Sequence, residues 1–206
     1  MSIAKDLAQL GKLIAASHGW PAAKAFKSCA MSEADGAHLA KCAVQLLHAF
    51  PAGPDTSALM SAALAVQLER VLTAPAHVIA GTLAVEGEPV FGDRRPFDGP
   101  AIFGTSHPNW HGHVWVMIGP HVVDISLFQT AYSRFGPPRL ARHVDLVFGP
   151  GKGLYVDHWQ RCRQRGLSYE PQYVLNEAEV TRLMGGAYEL IEKARSERPH
   201  VDPPAV

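Results

Sequence analysis

His113 and Asp124 are the two residues whose chemistry and spacing point most directly to a reactive site. They lie in segment 109–126, where two runs rich in valine, isoleucine and tryptophan flank Gly119-Pro120. This composition is typical of two antiparallel strands joined by a tight turn. An imidazole held by a carboxylate is the base-and-orienter part of a nucleophilic triad. The segment therefore predicts a β-hairpin that carries half of a catalytic site.

The pairing of His113 with Asp124 depends on the length of the turn. A two-residue loop places Ile118 opposite His121, and then His113 and Asp124 project from one face as diagonal neighbours. Such neighbours have Cβ atoms roughly 7–8 Å apart, which lets an imidazole and a carboxylate meet. A three-residue loop would put them on opposite faces. The alternative interpretation is a strand histidine that only pairs with a nearby acid.

The hairpin sequence His-Val-Trp-Val followed by Val-Val-Asp-Ile-Ser resembles the His/Asp hairpin of the transglutaminase-like superfamily, a branch of the papain-like cysteine peptidase fold. Residues 55–68 and 74–81 resemble the helix and strand that precede this hairpin in the family, so the resemblance spans about residues 50–130. It implies a nucleophile/His/Asp triad that acts on an amide or thioester bond, as in a peptidase, amidase, deamidase or acyl transferase. The implied partner is a peptide, protein or small amide substrate, with no cofactor.

The chain departs from this family at the nucleophile. The family has a cysteine at the helix start, whereas the matching positions here are Ser57 and Ala58. Either Ser57 acts, or catalysis has been lost, or a serine or alanine that replaces cysteine has trapped an inactive form. Free N–H groups at a helix start stabilise a thiolate and an oxyanion, but a serine gains less and needs the histidine as base. Ser57 also fits a helix-capping hydroxyl next to Asp55.

Two tryptophans of the same segment, Trp110 and Trp115, are candidates to line a pocket for an acyl or peptide substrate. Core packing is the alternative for one of them, because a large aromatic ring in a strand is typical of a protein interior.

Two other functions and one other nucleophile compete with a triad at Ser57 or Ala58. A non-catalytic module of the same fold would explain the missing cysteine. A metal site would use the histidines that cluster in the hairpin region, which are His107, His111, His113 and His121. Cys162 is a second candidate nucleophile, because neighbouring arginines would lower its thiol pKa.

Composition excludes other classes of function. The 206 residues contain nineteen basic and nineteen acidic side chains, so no overall charge favours nucleic acid or an anionic membrane. No apolar run approaches the roughly 20 residues of a membrane-spanning helix. The N-terminal residues do not resemble a secretion signal, and three widely spaced cysteines indicate reduced thiols. We therefore expect a soluble, cytoplasmic protein; the sequence does not indicate its oligomeric state.

The order of elements predicts an α+β fold with a papain/transglutaminase-like core, in which a buried central helix packs on an antiparallel sheet between a helical N-terminal region and a C-terminal helix. Residues 86–108 form a long loop, a candidate flap over the site or an ordinary surface excursion. We expect one domain over 1–198 and a flexible tail over 199–206. The predicted helices are 3–16, 21–28, 33–50, 55–72 and 176–194. The predicted strands are 77–85, 143–148 and 169–174, in addition to the hairpin, which continues over 127–132. Residues 155–165 are predicted to form a strand followed by a helix.

Overall fold

The structure is a computed structural model that describes residues 3–51, 53, 56–92 and 97–197, leaving aside the side chains of residues 3–6. Within these residues the chain is α+β, with eight helices and six strands. The helices are α1 (Ile3–Ser28), α2 (Glu33–Ala49), α3 (Ser57–Glu69), α4 (Gly99–Ile102), α5 (Leu127–Ala131), α6 (Pro138–Val147), α7 (Trp159–Gln164) and α8 (Glu177–Ser196). The strands are β1 (Ala76–Val85), β2 (Glu88–Phe91), β3 (His113–Ile118), β4 (His121–Asp124), β5 (Tyr155–His158) and β6 (Leu167–Val174).

The strands form one antiparallel sheet in which β1 has the most neighbours. The main order is β2-β1-β3-β4-β5, and β6 pairs with β1 along residues 79–85. β1 is long enough to pair with β3 through its first half and with β2 through its end. The sheet therefore places the hairpin of β3 and β4 beside a strand that is buried along nearly all of its length.

Helices cover both faces of the sheet, and the alternation of side chains in β3 separates the two cores. Val114, Val116 and Ile118 belong to the core that contains residues of α2, α3 and α8. Trp115 and Met117 belong to the core that contains residues of α1, α5, α6 and α7. This is the period-two pattern of a strand that is buried on both sides.

Helix α3 is the most deeply buried helix segment near the hairpin. Residues 58–65 and Leu68 are all buried, as the apolar composition all round this helix predicts. The one polar side chain at its centre, Ser61, donates a hydrogen bond of 2.9 Å to the carbonyl oxygen of Val114. This bond joins the first turns of α3 to the start of β3.

Local signals explain the other helix boundaries. Capping boxes start α2, where Ser32 and Asp35 exchange hydrogen bonds, and α8, where Asn176 and Glu179 do the same. The predicted break near Gly19 is a kink inside α1, with Gly19 at φ 83°. Asp55, the predicted cap of the central helix, lies outside the described residues, as do residues 199–206.

Three sequence predictions about secondary structure were wrong. The predicted strand 143–148 lies mostly in α6, which begins at Pro138 and buries Leu140, His143 and Val144 at helical spacing. Residues 127–131 form α5 rather than a continuation of the hairpin. The predicted loop 86–108 contains β2 and α4. In each case the tertiary packing of a short segment outweighs its local composition.

No helix among the described residues combines the length and apolar character that crossing a membrane requires.

Candidate active site around His113 and Asp124

The hairpin turn brings His113 and Asp124 into contact. Ile118 pairs with His121 across Gly119-Pro120, as the two-residue loop predicts, and Gly119 has φ 51°, which favours glycine. In this register Nε2 of His113 lies 2.6 Å from Oδ2 of Asp124. The side chains are 1 % and 0 % exposed, so water does not compete for this hydrogen bond. The predicted diagonal pair is therefore present.

The carboxylate of Asp124 is held by five hydrogen bonds. Oδ1 accepts from the backbone N–H and the hydroxyl of Ser126, both at 3.0 Å, and from the N–H of Leu127 at 2.9 Å. Oδ2 accepts from Tyr169 Oη at 2.9 Å as well as from His113. Burial raises the pKa of the Asp124 carboxyl, but the His113 charge and the hydrogen bonds from His113, Tyr169 and Ser126 outweigh burial and lower it. Asp124 is therefore an anion at neutral pH.

An anionic Asp124 determines which nitrogen of His113 carries the proton. A carboxylate only accepts hydrogen bonds, so Nε2 donates and Nδ1 bears the lone pair when the ring is neutral. The ring is also fixed by stacking, with centroids 5.5 Å from Phe91 and 6.4 Å from Trp115. Nδ1 is thus the nitrogen of His113 that is left to accept a hydrogen bond.

His113 and the first residues of α3 line the same pocket of about 190 Å³. Helix α3 packs against the face of β3 that carries Val114, which is the face opposite to the His113 side chain. His113 nevertheless borders the pocket, because it is the first residue of β3 and the pocket lies at that end of the strand. The described lining residues are Thr56, Ser57, Ala58, Val90, Phe91, Pro108, Trp110, His111, Gly112, His113, Val114 and Thr130. His113, Ser57 and Ala58 therefore border one pocket.

The start of α3 borders this pocket with Thr56, Ser57 and Ala58. The Met60 N–H donates to the Thr56 carbonyl at 2.9 Å, and among the described residues no backbone acceptor is seen for the N–H groups that precede it. The Thr56 side chain makes no capping bond to them. Ser57 is half-buried whereas Ala58 is 5 % exposed. Position 57 is therefore the more accessible of the two, and it carries a hydroxyl.

The two tryptophans have different locations. Trp110 lines the pocket, and its indole packs against Gly112, where any side chain would overlap with the ring. Trp115 is fully buried in the core between His113 and Tyr169 and is absent from the described pocket lining. Core packing, the alternative given for one tryptophan, therefore applies to Trp115.

The hairpin histidines do not converge on a metal site. His107 pairs with Glu189 at 3.0 Å, and His121 meets His158 edge to face with ring centroids 5.7 Å apart. Among the described residues no three His, Cys, Asp or Glu side chains are grouped so that they would hold a metal ion. These positions give the metal-binding alternative no support.

The prediction that arginines activate Cys162 was wrong. Its side chain is 2 % exposed, and burial, the largest influence, raises the pKa of the Cys162 thiol to about 11. Of its arginine neighbours, Arg161 and Arg165 approach the carboxylate of Asp157 at 2.6 and 3.1 Å. A buried, protonated thiol is a poor nucleophile.

Sequence reasoning missed two residues that hold the site together. Tyr169 was placed on a strand without a role, and its contact with Asp124 depends on a pairing between distant parts of the chain. Ser126 had a local signal, since an acid followed two residues later by serine at a helix start is typical of side-chain capping. That signal would have predicted an anchored Asp124.

Comparison with known proteins identifies no relative of this chain. No family model, curated protein or solved structure matches it. Function must therefore be inferred from the site itself.

Proposed function

We propose that this protein is a hydrolase or acyl transferase acting on an amide or thioester bond, with Ser57 as nucleophile, His113 as general base and Asp124 as the orienting acid. The observation that carries the proposal is the buried 2.6 Å bond between His113 and Asp124, together with the pocket that His113 and Ser57 both border. An imidazole oriented in this way activates a hydroxyl by taking its proton.

The reaction follows from these groups. Nδ1 of His113 takes the Ser57 hydroxyl proton as the oxygen attacks the substrate carbonyl carbon. N–H groups at the start of α3 stabilise the oxyanion. The imidazolium then donates its proton to the leaving amine or thiol, which leaves an acyl-enzyme that water or an amine resolves. Asp124 stays ionised and stabilises the imidazolium.

The papain/transglutaminase-like core is part of the same proposal. Its support is the chain order, in which a helix start, a histidine strand and an aspartate strand follow one another, and the helix start and the histidine strand border one pocket. Ser57 takes the place of the usual cysteine. A peptide, protein or small amide as substrate and a cytoplasmic location remain predictions.

A fluorophosphonate probe tests this function, because it labels serines that a neighbouring base activates. We expect peptide mapping to find the label on Ser57, with labelling abolished by Ser57→Ala and by His113→Ala. Ser28→Ala is the control, since Ser28 is exposed at the end of α1. A folded protein that takes no label, or takes it elsewhere, contradicts the catalytic proposal.

A binding module is the second candidate function, and the near-complete burial of His113 favours it. A ring that is 1 % exposed is poorly placed to exchange protons with a bulky substrate. A binding module would take up ligand at the pocket, seen as changes in the NMR signals of Trp110 and His111, without labelling at Ser57.

A further inference from the structure

The Tyr169 hydroxyl donates a hydrogen bond to the same oxygen of Asp124 that accepts one from His113. The Tyr169 Oη to Oδ2 distance is 2.9 Å, and the His113 Nε2 to Oδ2 distance is 2.6 Å. Both donors are buried. The negative charge of one carboxylate oxygen is therefore shared between the candidate base and a tyrosine.

The other oxygen of Asp124 already has its own anchors. Three donors from Ser126 and Leu127 fix Oδ1 and with it the plane of the carboxylate. The Tyr169 hydroxyl is consequently not needed to point Asp124 at His113. Its remaining effect is electrostatic, because a second donor on Oδ2 withdraws charge from the bond to His113.

The Tyr169 hydroxyl keeps its proton and so remains a hydrogen-bond donor. Burial first, and then the Asp124 charge, raise the pKa of Tyr169 well above its ordinary value. The ring is held at 5.2 Å from Trp115 and 6.3 Å from Tyr155, measured between centroids. The other titratable groups around the pair are Tyr155 and Cys162 beside Tyr169, and His111 at the pocket near His113.

We propose that Tyr169 acts through Asp124: its hydroxyl limits the share of the Asp124 charge available to His113 and so sets the pH at which the base becomes active. The proposal rests on the proposed function of His113 as base. Removing the hydroxyl leaves the whole charge of Oδ2 to His113 and favours its protonated form. The ring should then hold its proton to a higher pH.

NMR of ring-labelled histidine tests this without substrate or activity. For Tyr169→Phe, which keeps the aromatic packing, we expect the low-field Nε2–H signal of His113 to move further downfield. We also expect the midpoint of the His113 titration to rise by about 0.5 to 1 pH unit, the scale on which one hydrogen bond acts on a neighbouring charge. The pH profile of Ser57 labelling should move by the same amount.

Tyr155→Phe is the matched control. It removes a second buried hydroxyl, on a ring that stacks on Tyr169 but makes no hydrogen bond to Asp124. An unchanged signal and midpoint in Tyr169→Phe, or equal changes in both variants, would overturn the proposal. If Tyr169→Phe does not fold, fluorotyrosine at position 169 is a stronger donor and should move the midpoint to lower pH; a shift in the opposite direction contradicts the proposal.

A failure of the function is distinguishable from a failure of this inference. If Ser57 takes no label but the Tyr169→Phe titration shifts, the catalytic role is wrong and the control of His113 by Tyr169 is supported. If Ser57 takes the label and the titration stays constant, the site is catalytic and Tyr169 is only structural.

Discussion

Two buried histidines on neighbouring strands differ in their partners. His113 on β3 lies against a carboxylate at 2.6 Å, whereas His77 on β1 lies against another imidazole, His18, at a centroid distance of 5.1 Å. Nε2 of His77 is buried and has no hydrogen-bond partner among the residues that the structure describes. Burial, followed by the neighbouring His18, lowers the pKa of His77 to about 4. Burial beside another imidazole therefore favours the neutral form of His77, and the carboxylate is what makes His113 a candidate base.

The largest effect should come from removing the carboxylate beside His113, so that this histidine, like His77, has no anionic partner. Asp124→Asn removes the anion that accepts five hydrogen bonds and places an amide N–H₂ group among donors. We expect a loss of about 3–5 kcal/mol in the free energy of unfolding, measured by urea denaturation. Labelling of Ser57 should fall by about 10³-fold or more.

Asp145→Asn is the control for that loss. Asp145 is exposed and accepts a hydrogen bond of 2.9 Å from Tyr132, so its replacement should cost no more than about 1 kcal/mol. Equal stability of the two variants would show that the buried network around Asp124 contributes little.

Replacing His77 should have a smaller effect, on the stability of the folded state at acid pH. The unfolded chain protonates His77 near its ordinary pKa of 6.5, whereas the folded chain does so only near 4. The folded state therefore loses stability as pH falls from about 6.5 to about 4, by about 3 kcal/mol in full. We expect His77→Phe, which keeps an aromatic ring beside His18 and Phe26, to recover most of this at pH 4.

The control for His77→Phe is His48→Phe, which makes the same replacement at an exposed position of α2. Thermal unfolding of both variants at pH 7 and pH 4 separates their effects. If His77→Phe shows the same acid sensitivity as the wild-type protein, the buried neutral histidine is not its source. The Asp124 carboxyl, whose pKa is lowered, acts in a different window, because its stabilisation is lost only below about pH 4.

The smallest effect should come from loosening Asp124 without removing it. Ser126→Ala deletes the hydroxyl donor to Oδ1 and leaves two backbone donors in place. We expect the free energy of unfolding to fall by about 1 kcal/mol and labelling of Ser57 to persist. Ser133→Ala, which removes a hydroxyl bonded to the Thr130 carbonyl, should cost less because this residue is only half-buried. A larger loss of unfolding free energy in Ser133→Ala than in Ser126→Ala would mean that Oδ1 of Asp124 needs no side-chain donor.

The parts of the fold that sequence could predict are those that local rules determine. Gly119-Pro120 and the flanking apolar runs set the hairpin register, so the pair of His113 and Asp124 was predictable. The apolar composition all round α3 predicted its burial, and Ser32 and Asn176 predicted helix starts.

The parts that could not be predicted depend on contacts between distant segments. Tyr169 reaches Asp124 because β6 pairs with β1, and that register shifts between Ala80 and Gly81. The burial of Cys162 depends on packing against Tyr155 and the rest of its core cluster. Residues 143–148 have a strand-like composition, but Pro138 and a buried helical face determine their structure.

The most direct test of the site is to place a thiol at the nucleophile position and measure whether His113 controls it. We predict that the thiol of Ser57→Cys reacts with iodoacetamide at pH 6 at least about ten times faster than the same thiol in Ser57→Cys/His113→Ala, because an imidazole and a helix start favour the thiolate. Ala58→Cys should react more slowly, and Cys29, Cys42 and Cys162 serve as internal references. Equal rates with and without His113 would contradict a triad at this pocket.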